Sequence, residues 1–154
     1  MAAQITERLA DANPLVLVVM VGGVIPAAEL LARLDFPLEL DYLHVTRYQG
    51  DTRGGDLHWL VRPVQSLEDR VVLVADDILD EGLTLHEILE YCREAGAREV
   101  YSAVLVEKQR ARDPGIRSAD FTGLPVVDRY VFGYGMDYKG YLRNARGIYA
   151  VRGL

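Results

Sequence analysis

Apolar residues in this chain fall into two alternating patterns. Leu15 to Val21 is a continuous run rich in valine, the mark of a strand buried on both faces. Val71 to Ala75 and Val100 to Val106 repeat it, and Leu38 to Val45 predicts a further strand. Between these runs the spacing turns helical. Gln4 to Asp11 predicts a short amphipathic helix and Ala27 to Leu34 a second. Leu83 to Ala95 is the clearest, with Leu85, Ile88, Leu89 and Cys92 on one face and Gly96 as its stop. Gln49 to Asp56 is polar and glycine-rich, between Tyr48 and a strand-like His58 to Val61, and predicts a hairpin or mobile flap. Arg110 to Ser118 reads as a charged loop, and short β or turn pieces finish the chain. The alternation predicts an α/β fold: a mostly parallel, twisted sheet with helices on both faces. Without repeats, low-complexity tracts or linkers, residues 1–154 are expected to form one domain.

Composition narrows the partners. The chain is acidic, with a net charge of -6, and has no run of Lys or Arg. It is therefore expected to bind neither nucleic acid nor an anionic membrane. A small anionic substrate still fits, because a metal ion or backbone N–H groups can neutralise it locally. The longest apolar stretch, Pro14 to Ala28, carries three glycine or proline breaks and is too short to span a bilayer. A single cysteine, Cys92, rules out an intramolecular disulfide and suits a reducing cytoplasm. On an apolar helix face and without an evident base, it reads as core rather than nucleophile. His44, His58 and His86 show no metal-ligand spacing. Neither a GxxxxGK[ST] loop nor a GxGxxG turn is present.

In a sheet of this kind, ligands bind beyond the carboxyl ends of the strands. Gly22 and Gly23 follow the first strand, Asp76 to Thr84 the third, and Glu107 and Lys108 the next. The middle group is the richest. Two successive carboxylates, Asp76 and Asp77, point in different directions if the strand continues through them, and can hold a metal or sugar hydroxyls. Asp80 could take a proton from a bound base or merely cap the following helix. Gly82 permits close approach, and Thr84 adds a hydroxyl to the N–H groups of a helix start, where an anion is favoured. Lys108 is one of only two lysines and could mark a carbonyl oxygen or pair with Glu107. Tyr130 could pack in a core or stack on a flat base, and the Arg143 fork matches phosphate oxygens.

The ordered segment VVLVADDILDEGLTL, Val71 to Leu85, resembles the 5-phosphoribosyl-1-diphosphate (PRPP) signature of the phosphoribosyltransferases. VDRYVFGYGMDYKGYLRN, Val127 to Asn144, is similar to the pattern of the hypoxanthine-guanine branch, and Met20 to Gly23 to the family's diphosphate loop. The resemblance runs along nearly the whole chain. It implies the type I fold with a flexible flap and small hood, Mg²⁺ as cofactor, and PRPP and a 6-oxopurine as substrates. It also implies a homo-oligomer, and nucleotide plus diphosphate as products. Asp76 and Asp77 would contact the ribose hydroxyls and magnesium, and Asp80 would be the general base at purine N7. Backbone groups of Asp80, Glu81, Gly82, Leu83 and Thr84, with the Thr84 hydroxyl, would cradle the 5′-phosphate. Val21, Gly22, Gly23 and Arg143 would hold diphosphate. Lys108 would donate to the 6-oxo group, Tyr130 would stack on the ring, and Val131 would read the base edge. Asp137 would bind a second magnesium, and Tyr48 would close over the site.

Some positions depart from the family pattern. Glu81 stands where Ser or Thr is usual, so its side chain must point away or weaken phosphate binding. Val21 replaces a frequent lysine, and Arg47 a usual serine. A cis peptide between Met20 and Val21 is expected from the resemblance. A xanthine-preferring enzyme and a non-catalytic PRPP-binding regulator are the alternatives. A receiver-like signalling domain is disfavoured, because its acid pair would follow the first strand.

Overall fold

The computed structural model describes residues 1–47, 57–110 and 116–153. Tyr48, the expected flap at Gln49 to Asp56, and residues 111–115 of the charged loop lie outside the described residues. In chain order the elements are α1 (Ala2–Leu9), β1 (Leu15–Met20), α2 (Val24–Leu31), β2 (Glu39–Arg47) and β3 (Leu57–Val61). Then follow β4 (Val71–Leu79), α3 (Leu83–Glu94), β5 (Glu99–Gln109), β6 (Phe121–Val127), β7 (Val131–Phe132) and β8 (Tyr149–Ala150).

Side chains alternate across a strand, so an unbroken apolar run needs cover on both faces. β1 and β4 receive it. Leu15, Leu17, Val19, Val72 and Val74 pack with Leu85, Ile88, Leu89 and Cys92 of α3. Val16, Val18, Val71, Leu73 and Ala75 pack on the other face with Ile5 and Leu9 of α1 and Ala27 and Leu30 of α2. Cys92 is fully buried, and burial pushes its thiol up to about 12. No thiolate is available near neutrality, as its core reading requires.

The six-stranded sheet has the order β3-β2-β1-β4-β5-β6. Every pairing is parallel except the edge pair of β2 and β3. The mostly parallel α/β architecture therefore holds; α1 and α2 begin and end two or three residues earlier than expected, and three further departures bear on the site. β4 continues to Leu79 instead of stopping at Ala75, so the acid pair is part of the strand. β5 likewise runs on to Gln109 and carries Glu107 and Lys108 within it. β6 is a seven-residue strand paired with β5, where only short pieces were expected. Gly123 and Pro125 hide it in the sequence, and both are tolerated because β6 is an edge strand. β7 and β8 form a separate two-stranded sheet over one end, the small hood.

Candidate active site

Strand order reverses at β1, which pairs with β2 on one side and β4 on the other. The connections leaving β1 and β4 diverge there and open a crevice, the usual place for a ligand in such a sheet. Gly22 and Gly23 follow β1, and Asp76 to Thr84 come from the end of β4 and the turn into α3. The two segments touch. A Cβ on Gly22 would lie 2.0 Å from Asp77 Oδ2, and one on Gly23 would lie 2.6 Å from the Val19 carbonyl oxygen. Only glycine lets the loop pass this close to the acid pair. The Met20–Val21 peptide is cis, as expected.

A cavity of about 320 Å³ is lined by Asp76 to Leu85 and by Arg47. Gly82, at φ 81°, is the N-cap residue of α3 and turns the chain into that helix. The N-cap position thus falls on Gly82 and not on Asp80, and the first turn of α3 forms part of the cavity wall, where a helix start favours an anion. The Thr84 hydroxyl lies in the same wall and accepts from Arg47 Nε at 2.9 Å. Glu81 is exposed at the rim, and its charge helps to push the Arg110 guanidinium upward, behind the larger effects of Asp80 and Asp128.

A second cavity of about 230 Å³ shares Asp77, Ile78 and Asp80 with the first and adds Lys108, Tyr130, Val131, Met136 and Asp137. All four residues assigned to a purine therefore meet in one place. Lys108 is buried at the mouth of β5, and its Nζ pairs with Asp80 Oδ2 at 2.6 Å and with Asp128 Oδ1 at 3.5 Å. Glu107, its neighbour, points to the opposite side and accepts from Thr122 Oγ1 at 2.6 Å. Arg110 Nη1 holds the other Asp80 oxygen at 2.8 Å. Tyr130 is 41% exposed, meets Tyr138 edge-on and lines the second cavity, and an aromatic ring of this kind suits a planar ligand.

Arg143 joins the hood to the acid pair. It donates to the Gly135 carbonyl at 2.7 Å, pairs with Asp137 Oδ1 at 2.9 Å and lies 3.9 Å from Asp77 Oδ2. Gly135 in turn sits against the Gly22 carbonyl. One guanidinium thus spans Asp77 and Asp137, two of the three metal candidates, beside the glycine loop. Met136 and Ile78, the apolar walls of the second cavity, and Arg110 and Asp128, the partners of Asp80 and Lys108, were not picked out from sequence. Asp128 and Arg110 follow the paired ends of β6 and β5, so recognising β6 would have exposed both.

A phosphoribosyltransferase domain model matches residues 1–139. The chain belongs to the phosphoribosyltransferase family. It is 34% identical to the hypoxanthine-guanine phosphoribosyltransferase of Bacillus subtilis, over 94% of this chain and 80% of that one. It is 33% identical to the hypoxanthine-guanine-xanthine phosphoribosyltransferase of Tritrichomonas foetus, over 94% and 79%. A crystal structure of a hypoxanthine phosphoribosyltransferase from Staphylococcus aureus superposes with a TM-score of 0.89 at 30% identity, covering 98% of this chain and 82% of that one.

Burial raises the Asp76 carboxyl well above its ordinary value of 3.8, with repulsion from Asp77 adding to it. Burial raises Asp77 too, opposed by its hydrogen bond with Asp76 and by Arg143. Two desolvated acids side by side suit a divalent cation in this phosphoribosyltransferase. Among the described residues no three His, Cys, Asp or Glu side chains converge into a closed cage. Mg²⁺ ordinarily takes only one or two protein carboxylates and completes its shell with water and substrate oxygens. A raised carboxyl contributes stability that is complete below its unfolded value and lost as pH rises through the folded one. Asp76→Asn is therefore expected to raise the melting temperature at pH 8 in metal-free buffer and to leave it unchanged near pH 3. Calorimetry at the two pH values checks this; equal shifts at both would show that Asp76 is not the strained group.

Proposed function

We propose that the whole of residues 1–154 acts as one purine salvage transferase. It moves the 5-phosphoribosyl group from PRPP to N9 of hypoxanthine or guanine, giving IMP or GMP and diphosphate. The observation that carries this is the pair of cavities joined at Asp77, Ile78 and Asp80. One offers acids and helix N–H groups to a ribose phosphate. The other offers a buried ammonium, an aromatic face and a carboxylate to a base.

The residues divide the chemistry. Lys108 donates to the purine 6-oxo group, Tyr130 stacks on the ring, and the Val131 and Asp137 backbone reads the base edge. Asp80, held by Lys108 and Arg110, accepts the N7 proton as N9 attacks. The N–H groups of Asp80 to Thr84 and the Thr84 hydroxyl hold the 5′-phosphate. Val21, Gly22, Gly23 and Arg143 take the leaving diphosphate, whose charge grows as the C1–O bond breaks. Asp76 and Asp77, with Asp137 beyond Arg143, are the residues that would hold Mg²⁺. When bound, the metal supplies positive charge to the ribose hydroxyls and diphosphate. Tyr48, next in the chain to Arg47, is proposed to close over the site and keep out water. The single reduced thiol, Cys92, suits work in the cytoplasm.

The name of the Tritrichomonas foetus relative makes xanthine a second candidate base. A panel of hypoxanthine, guanine and xanthine with PRPP and Mg²⁺, read as nucleotide by chromatography, tests both readings. Hypoxanthine and guanine are expected to be turned over, and binding of PRPP with no product from any base would defeat the enzyme reading. We also propose that the protein self-associates. Sedimentation at tens of micromolar is expected to give a species heavier than the 17.2 kDa chain, and a monomer alone would refute this.

A further inference from the structure

Arg47 ends β2, and its guanidinium reaches across to α3. Nε donates to Thr84 Oγ1 at 2.9 Å, and Nη2 pairs with Glu87 Oε1 at 2.6 Å. Among the described residues that line the first cavity, Arg47 is the sole cation, facing Asp76, Asp77, Asp80 and Glu81. A phosphate monoester near pH 7 brings a further charge of about -1.5 to -2. The acid pair has its metal candidate, and Asp80 has Lys108 and Arg110. At the remaining end, from Glu81 to Thr84, the helix start supplies only about half a positive charge. That does not offset a dianion beside a carboxylate.

Building on the transfer from PRPP, we propose that Arg47 is the side-chain anchor of the 5′-phosphate, with Glu87 holding its guanidinium in the unliganded enzyme. The Thr84 oxygen accepts from Arg47 and keeps its O–H to donate, so hydroxyl and guanidinium converge on one point. A phosphate oxygen takes over from Glu87, exchanging one anion for a stronger one at a planar fork of donors. Glu87 has 41% of its side chain exposed, so water takes it back at little cost. Arg47 thereby distinguishes phosphorylated from unphosphorylated ribose.

GMP and guanosine differ only by this phosphate, so their binding to Arg47→Ala, Arg47→Lys and Glu87→Gln, measured by calorimetry, isolates the contact. Arg47→Ala is expected to weaken GMP by about 10- to 100-fold and to raise the KM for PRPP in step. Guanosine affinity and the KM for hypoxanthine should stay within twofold. Arg47→Lys should recover part of the loss, and Glu87→Gln should bind GMP as tightly as the parent or more so. If Arg47 merely pins β2 to α3, Glu87→Gln will copy the Arg47→Ala defect and guanosine will weaken alongside GMP; either result overturns the inference. So does unchanged GMP binding in a folded Arg47→Ala or, should that variant not fold, in Arg47→Lys. The parent making no nucleotide from PRPP would defeat the transfer reading instead, and the GMP–guanosine comparison decides Arg47 independently of it.

Discussion

Asp80→Asn is expected to lower kcat by roughly 100- to 10,000-fold, the usual worth of a positioned acid or base, while PRPP binds almost as before. Asparagine keeps the size of the side chain and the backbone N–H groups of the 80–84 turn, so the phosphate cradle survives. It loses the negative charge that Lys108 holds at 2.6 Å and Arg110 at 2.8 Å. Two effects then act together. The N7 proton has no acceptor of adequate basicity, and the buried ammonium of Lys108 loses the carboxylate at 2.6 Å and keeps the more distant Asp128 at 3.5 Å. The KM for hypoxanthine should therefore rise as Lys108 shifts, but by much less than kcat falls. Single-turnover measurements with saturating PRPP separate chemistry from release. An unchanged single-turnover rate would remove Asp80 from proton transfer and leave it as a holder of Lys108.

The chemistry of the site was more legible than its boundaries. The valine runs of β1 and β4 and the apolar face of α3 required two-sided cover, and that fixed the class of fold. The acids and glycines then fell at the reversal of strand order because β1 pairs with both β2 and β4. A strand end, in contrast, is set by its neighbour. Asp76 and Asp77 stay in β4 because β5 continues beside them, pairing Asp76 with Val104 and Leu79 with Glu107. No local preference announces that. The same holds for β6, whose glycine and proline read as a loop until β5 supplies hydrogen bonds. Partners of charged groups were hidden for a related reason. Arg110 and Asp128 lie far apart in sequence and meet through the β5–β6 register. Glu81 and Arg47, the two positions that fit the family pattern least well at the phosphate, line one cavity. That pairing of an added carboxylate with an added guanidinium becomes visible only in three dimensions.

Gly22→Ala is expected to cut kcat/KM for PRPP by about two orders of magnitude, the cost of misplacing reacting groups by an ångström or so. The added methyl would lie 2.0 Å from Asp77 Oδ2 and 2.5 Å from its Cγ, well inside any tolerable contact. Either the loop or the carboxylate has to move. The loop has little room: a Cβ on Gly135 would meet the Gly22 carbonyl at 2.2 Å, and Gly23 is packed against Val19 and Ala75 backbone. Asp77 is also constrained, by Arg143 at 3.9 Å and by its N–H bond to Asp76 Oδ1 at 2.8 Å. Displacing it disturbs the metal candidate, the diphosphate loop and the Arg143 fork together, which is why one methyl group acts so strongly. The base pocket has no residue in that loop and meets the disturbance only at its edge, through Asp77 and Asp137, so hypoxanthine binding should weaken far less than PRPP binding. Kinetics with each substrate varied in turn, alongside a melting curve to confirm folding, read the difference. Loss of affinity for both substrates in equal measure would mean that Gly22 serves the fold as a whole rather than the approach of loop to carboxylate.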